Sequence, residues 1–219
     1  MAARMTGQPD STTALPQSRD QDRRALRRSL RQQRRALTPK QQQAAASRLT
    51  QRLRKLPEIQ RARHLALYLP NDGEIDPTPL LAWLKRRNAH AYLPVLKPLA
   101  ENSLWFVHYH PGTPMVANRF GILEPCTRHA ANTARRRPVW ALDVILLPLV
   151  GFDEYGERLG MGGGFYDRTL AATQRGGPRP RLIGVAHDCQ GVERLPTAPW
   201  DVPLDAIVSD RRLVIPGRR

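Results

Sequence analysis

The chain has 219 residues, with 35 Lys and Arg against 19 Asp and Glu and a formal net charge of +16. That length supports one sizeable hydrophobic core and leaves a second full domain cramped, and no run of about 18 apolar residues offers a membrane span. The N-terminus lacks the apolar core of a secretory signal, and Cys126 and Cys189 have neither metal-ligand nor CxxC spacing, so the expectation is a monomeric, cytoplasmic protein. The charge is unevenly spread: residues 1–63 hold 16 basic and 4 acidic side chains. Such asymmetry suits a basic arm on nucleic acid, and it equally suits attraction of a phosphorylated or polyanionic small substrate.

Residues 1–22 are rich in Ser, Thr, Gln and Asp and read as a flexible tail. Beyond it, Leu26, Leu30 and Leu37 follow the helical period while Arg23, Arg27, Arg31 and Arg34 recur every three or four residues, which predicts an amphipathic helix with a basic stripe. Arg24, Arg28 and Arg35 read as a solvated face. The helix should stop near Thr38–Pro39, a cap and first turn for a second helix with Leu49, Leu53 and Leu56 on its apolar side. Strands are predicted at 64–69, 91–96, 104–109, 143–150, 181–186 and 205–209, with helices near 79–87 and 164–173. Several of these strands are continuous apolar runs, as expected of strands covered on both faces. The pattern predicts an α/β fold: a three-layer, Rossmann-like α/β/α arrangement with a largely parallel sheet, preceded by N-terminal helices. Arg135, Arg136 and Arg137 read as a solvated loop, and the alternating His108 and His110 lack a third metal ligand.

In parallel sheets ligands sit beyond the carboxyl ends of the strands, and two polar segments follow strands here. One is LPNDGEID, residues 69–76. The other lies within DVILLPLVGFDEYGERLGMGGGFYDR, residues 143–168, where Arg158 precedes Gly160, Gly162, Gly163 and Gly164, and Asp167 follows them. Missing Cβ atoms let backbone N–H groups close around an anion; an Arg adds a fixed charged donor, and an Asp offers a hard oxygen suited to Mg²⁺. A tight strand-to-helix turn would also use such glycines. A P-loop would need Gly-Lys-Ser or Gly-Lys-Thr, which is absent, and the dinucleotide fingerprint would need glycine where Phe165 stands.

The string RLGMGGGFYD, residues 158–167, resembles the signature of the 5-formyltetrahydrofolate cyclo-ligases, also called 5,10-methenyltetrahydrofolate synthetases. Arg23-Arg24-Ala25-Leu26-Arg27, LPNDGEID and LPTAPWDVPLD (195–205) are similar to three further patches of that family, so the resemblance spans roughly residues 23–210. The family often has Lys where Arg23 stands. The resemblance implies one catalytic domain over 23–212, flanked by tails at 1–22 and 213–219. It also implies ATP as co-substrate and Mg²⁺ as cofactor. ATP would be held by Arg23, Arg24, Ala25, Leu26 and Arg27, and by Arg158, Leu159, Gly160, Met161, Gly162, Gly163, Gly164, Phe165 and Tyr166, with Arg158 and Arg27 as the catalytic charges. The folate would lie against Leu69, Glu74 and residues 161–165, and the metal would be bound by Asp167 and Asp201. The competing reading is a basic RNA-associated or ribosome-associated module, for which no aromatic-interleaved or RNP-like strand is present.

Overall fold

The computed structural model describes residues 16–98, 102–127, 135–171, 173, 176–196, 198 and 200–217. Three helices come first: α1 (Pro16–Arg35), α2 (Pro39–Leu53) and α3 (Pro57–Arg61). The break after α1 has a local cause. Thr38 accepts from the Gln41 N–H at 3.3 Å while Gln41 Oε1 accepts from the Thr38 N–H at 2.8 Å, a reciprocal capping box that starts α2 with Pro39 in its first turn. Of the tail expected at 1–22, residues 1–15 lie outside the described residues and 16–22 are helical. That extension carries an i,i+4 pair of Asp20 with Arg24.

The sheet has eight strands in the order β12-β11-β10-β7-β1-β2-β3-β6. These are β1 (His64–Ala66), β2 (His90–Leu96), β3 (Leu104–Tyr109), β6 (Arg136–Arg137), β7 (Val144–Pro148), β10 (Arg181–Ala186), β11 (Ala206–Ser209) and β12 (Leu213–Val214). The five central strands are mutually parallel, and β12, β3 and β6 join antiparallel at the edges. Two small hairpins stand outside it, β4 (Met115–Ala117) with β5 (Leu123–Pro125) and β8 (Gly151–Phe152) with β9 (Arg158–Leu159).

Along β7, Val144 and Leu146 enter one core while Ile145 and Leu147 enter the other, which explains why this strand reads as an unbroken apolar run. The first core is covered by α2, α3 and α4 (Leu80–Arg86), through Leu49, Leu53, Ile59, Leu80 and Leu84. The second is covered by the short α5 (Phe165–Leu170) and by segments carrying Leu142, Val202 and Leu204. The three-layer α/β/α expectation holds, with the helical cover concentrated on one face. A third cluster seats Leu26 and Leu30 of α1 against Val150, Leu159 and Leu195. Each fully buried leucine contributes roughly 1.5–3 kcal/mol.

Two expectations need correction. Arg136 and Arg137 form an edge strand rather than a solvated loop, because Arg136 stacks 3.3 Å above the Trp105 ring and Arg137 Nε donates to the Ala141 carbonyl. The C-terminal tail expected from 213 begins as β12, whose residues pair with β11; residues 218 and 219 lie outside the described residues. His108 and His110 share a row with His64 and His90 at the starts of β1 and β2, and among the described residues no group of three or more His, Cys, Asp or Glu could hold a metal.

Asp153 illustrates a buried carboxylate with a purely architectural job. It is 1% exposed and accepts from the N–H groups of Tyr155, Glu157 and Leu195 at 2.9–3.0 Å, closing the turn between β8 and β9 and pinning the 195 segment. Asp153→Ala leaves three donors without their acceptor and is expected to cost about 3 kcal/mol or more, read as a loss in chemical-denaturation midpoint.

Candidate active site

Strands β1 and β7 are parallel neighbours, so the segments leaving their carboxyl ends emerge side by side. The β1 exit carries residues 67–76. It is folded on itself by the Tyr68 hydroxyl, which donates to the Ile75 carbonyl at 2.7 Å, and it presses on α1 at Gly73. There φ is +74°, and a Cβ would lie 3.3 Å from the Arg34 carbonyl oxygen, so a side chain would be strained twice over. Asp72 takes three arginines of α1: Arg31 Nε at 2.7 Å, Arg34 Nη2 at 2.8 Å, and Arg35. Burial pushes this carboxyl up, and the hydrogen bonds from Arg31, Arg35 and Arg34 more than offset it, holding the group down at about 2. Arg35 reaches this loop from the solvated face expected of it, with its side chain 54% exposed.

Glu74 sits two residues further on with its side chain 12% exposed. Its Oε2 accepts from the Asn71 N–H at 3.2 Å, and its Oε1 lies 3.8 Å from Arg34 Nη2. Burial dominates and pushes the carboxyl up to about 7 despite the Arg34 charge, so it titrates in the neutral range. Leu69 is half-buried against the first core beneath this loop.

The β7 exit passes through the β8–β9 hairpin into the glycine loop. Arg158 is 7% exposed; it pairs with Asp167 Oδ1 through Nη2, and its Nε donates to the Val202 carbonyl at 3.0 Å. Val202 N–H in turn donates to the same Asp167 oxygen at 3.2 Å. Gly162 has φ +93°, a backbone conformation that a side chain would strain, while a Cβ there would only meet the Arg27 guanidinium carbon at an ordinary contact distance of 3.5 Å. Arg27 Nε fastens the loop by donating to the Gly160 carbonyl at 2.9 Å. Burial, then the neighbouring Arg23, lowers the Arg27 pKa, as expected where positive charge is gathered. Arg23 forks onto Asp201 with distances of 3.0 and 3.2 Å and also donates to the Pro196 carbonyl.

Arg23, Arg27, Arg158, the glycine loop, Asp167 and Asp201 thus form one connected network, with Glu74 joined to it through Arg34. Thr197 and Pro199, in the turn before Asp201, lie outside the described residues. Other residues named from the sequence have different surroundings. Arg24 and Ala25 are on the exposed side of α1, Leu26 and Leu159 pack in the third core cluster, and Tyr166 packs on the second core. Met161 is 49% exposed over the loop.

Sequence reasoning missed several neighbours. Asn102 Nδ2 donates to the Gly163 carbonyl at 3.0 Å and is itself held by Arg119, which lies over both Phe120 and Phe165. No local signal marks Asn102 or Arg119, since both belong to turns far from the loop in sequence. Arg34 was visible as a member of the stripe, though not as a buried residue.

Asp167 and Asp201 are hard oxygen donors beside a concentration of arginines. Mg²⁺ is usually held by one or two carboxylates together with substrate phosphates and water, not by an all-protein cage, so this donor set suits it. Asp167 and Asp201 would be the ligands.

A family model described as the 5-formyltetrahydrofolate cyclo-ligase family matches residues 19–210. The chain belongs to the 5-formyltetrahydrofolate cyclo-ligase family. Among relatives, the 5-formyltetrahydrofolate cyclo-ligase of Escherichia coli (strain K12) is 46% identical over 184 residues, covering 84% of this chain and 98% of that protein. The Haemophilus influenzae cyclo-ligase is 45% identical over 184 residues, 84% of this chain and 95% of its own length. Among solved structures, the NMR structure of Aquifex aeolicus 5,10-methenyltetrahydrofolate synthetase superposes with a TM-score of 0.73 at 30% identity, covering 90% of this chain and 95% of that one. As a cyclo-ligase family member the chain is an enzyme, and among the described residues no helix is long and apolar enough to cross a membrane.

Proposed function

We propose that the chain closes 5-formyltetrahydrofolate to 5,10-methenyltetrahydrofolate, consuming ATP with Mg²⁺ and releasing ADP and phosphate. The observation that carries this reading is the convergence of two loops from neighbouring parallel strands, one presenting a buried carboxylate and the other a glycine-and-arginine cradle, both fastened to one arginine-rich helix.

The chemistry explains the need for both halves. The N5-formyl group is an amide, and its oxygen does not leave unaided. Attack of that oxygen on the γ-phosphorus, with ADP departing, converts it to an imidate phosphate. N10 then adds to the formyl carbon, phosphate leaves with the former formyl oxygen, and the N10 proton is lost. Such a transfer asks the protein chiefly for alignment and for positive charge around the moving phosphoryl group. Arg158 and Arg27 supply that charge beside the backbone of 159–166, and Arg23 adds a third guanidinium one helical turn from Arg27. Asp167 and Asp201 would hold Mg²⁺, which neutralises phosphate charge when bound. Glu74, when ionised, can accept from the adjacent N–H donors of the pterin edge, with Leu69 and residues 161–165 lining the folate.

Incubating purified protein with 5-formyltetrahydrofolate and Mg-ATP, and following the ultraviolet absorption of the methenyl product, tests the reaction. Failure to form product while ATP still binds overturns it. Arg27→Ala should raise the KM for ATP roughly tenfold or more and leave the KM for folate closer to wild type, measured by varying each substrate in turn.

A further inference from the structure

The guanidinium of Arg34 has no exposed surface, yet it belongs to the helix face read as a basic stripe. Nε donates to the Asp72 carbonyl at 2.8 Å, Nη2 to Asp72 Oδ2 at 2.8 Å, and Nη1 to the Leu149 carbonyl at 3.3 Å. Nη2 also lies 3.8 Å from Glu74 Oε1 and 3.9 Å from the Met161 sulfur. One buried cation therefore touches the β1 exit, the β7 exit and the glycine loop. Desolvating a guanidinium is costly, and apolar residues of similar volume commonly serve a core as well or better. A charge retained at this junction points to a role beyond packing.

We propose that Arg34 is a positioning residue for folate recognition: its charge, close to Glu74, favours the carboxylate as an acceptor against the burial around it, and its contacts tie that loop to the glycine loop. The proposal rests on the reading that Glu74 receives the pterin edge. Every charged or titratable neighbour given by the structure is consistent with Arg34 as the principal support. From α1, Arg31 adds a weaker attraction; from its own loop, Asp72 opposes ionisation while the Asn71 N–H favours it. Tyr68, leaving β1, and Tyr166, on α5, face the same carboxylate with phenols that burial keeps neutral. After burial, the Arg34 charge is the largest influence on Glu74, and it acts toward the ionised form. His187 stands near Arg34, and its imidazole is held below its ordinary value by burial first.

The sign follows directly. A protonated Glu74 cannot accept two donors, so kcat/KM for 5-formyltetrahydrofolate in the wild type should fall tenfold per pH unit below about 7. Without the Arg34 charge the carboxyl titrates higher, and this limb moves to higher pH. At pH 7, Arg34→Gln should lower kcat/KM for folate about tenfold or more, mainly through KM, with a smaller change in the KM for ATP. Arg34→Lys keeps a charge without the fork and should restore part of the loss and part of the limb. Because Arg34→Gln could also unfold the protein, Arg34→Lys carries the test alone if thermal melts show that the Gln variant is not native. In a Glu74→Gln background the limb should vanish, and adding Arg34→Lys should not restore or move it. An Arg34→Lys enzyme with the wild-type limb and wild-type folate KM overturns the inference, whereas a wild type that forms no methenyl product overturns the cyclo-ligase reading and the inference with it.

Discussion

Arg158→Ala is expected to slow methenyl product formation by roughly two to three orders of magnitude, with the loss in kcat rather than in the KM for folate. The size comes from removing one preorganised charge donor from a developing phosphoryl transition state, about 2.7–4 kcal/mol. Preorganisation is visible in how the side chain is held: 7% exposed, tethered to Asp167 by one nitrogen and to the Val202 carbonyl by another. A guanidinium fixed in this way loses little rotamer freedom on meeting a phosphate. The same tethers mean that the substitution also frees Asp167, so rate and stability must be measured together. Arg158→Lys separates the two contributions, because it keeps a charge and loses the fork. Single-turnover rates with saturating Mg-ATP, alongside thermal melts, check the prediction. If Arg158→Ala stays within tenfold of the wild-type rate, the arginine only braces the loop.

Glu74→Gln should act in opposite directions on function and on stability. For function, it replaces an ionised acceptor of two donors by an amide with one acceptor oxygen; hydrogen bonds to a charged group contribute about 1.5–3 kcal/mol, so the KM for folate should rise on the order of tenfold to a hundredfold, with ATP little affected. For stability, the folded carboxyl titrates near 7 against an ordinary 4.5. Between those values the native state holds a proton that the unfolded state has released, so wild-type stability falls as pH rises through that window. The Gln variant has no such dependence at this position. Its stability relative to the wild type should therefore grow from about pH 4.5 to about pH 7, by on the order of 3 kcal/mol, and level off above. Denaturant midpoints measured at pH 5 and pH 8 for both proteins read the difference, and a gap independent of pH would show that Glu74 is not a buried ionising group. A recognition carboxylate kept at such a cost is a common trade between stability and function.

Part of the uneven charge of the chain is engaged within the fold. Arg23, Arg27, Arg31, Arg34 and Arg35 are engaged by Asp201, by the Gly160 carbonyl and by Asp72. On the proposed function the stripe on α1 would be a wall of the site.

The sequence by itself determined the class of fold and most of the sheet. Strands β3 and β10 stand at the residues expected of them, because apolar runs covered on both faces leave a continuous local signal. It also marked the glycine loop, Arg158 and Asp167 by chemistry readable in one contiguous string, and Glu74 through the resemblance of LPNDGEID to a patch of the family. Tertiary structure decided what depends on partners distant in the chain. The edge strand β6 was hidden because two arginines look polar until Trp105 and the Ala141 carbonyl receive them. Arg35 is exposed as its place on the helix suggests, and only the fold supplies its partner, Asp72, 37 residues away. Asn102 and Arg119 reach the glycine loop only through the fold. Helical spacing could align Arg34 with Arg23 and Arg27, but it could not distinguish a solvated guanidinium from one enclosed between two strand exits. Burial is a property of the folded chain, and it is burial that turns one member of a basic stripe into the link between two loops and turns Glu74 into a group that titrates near neutrality.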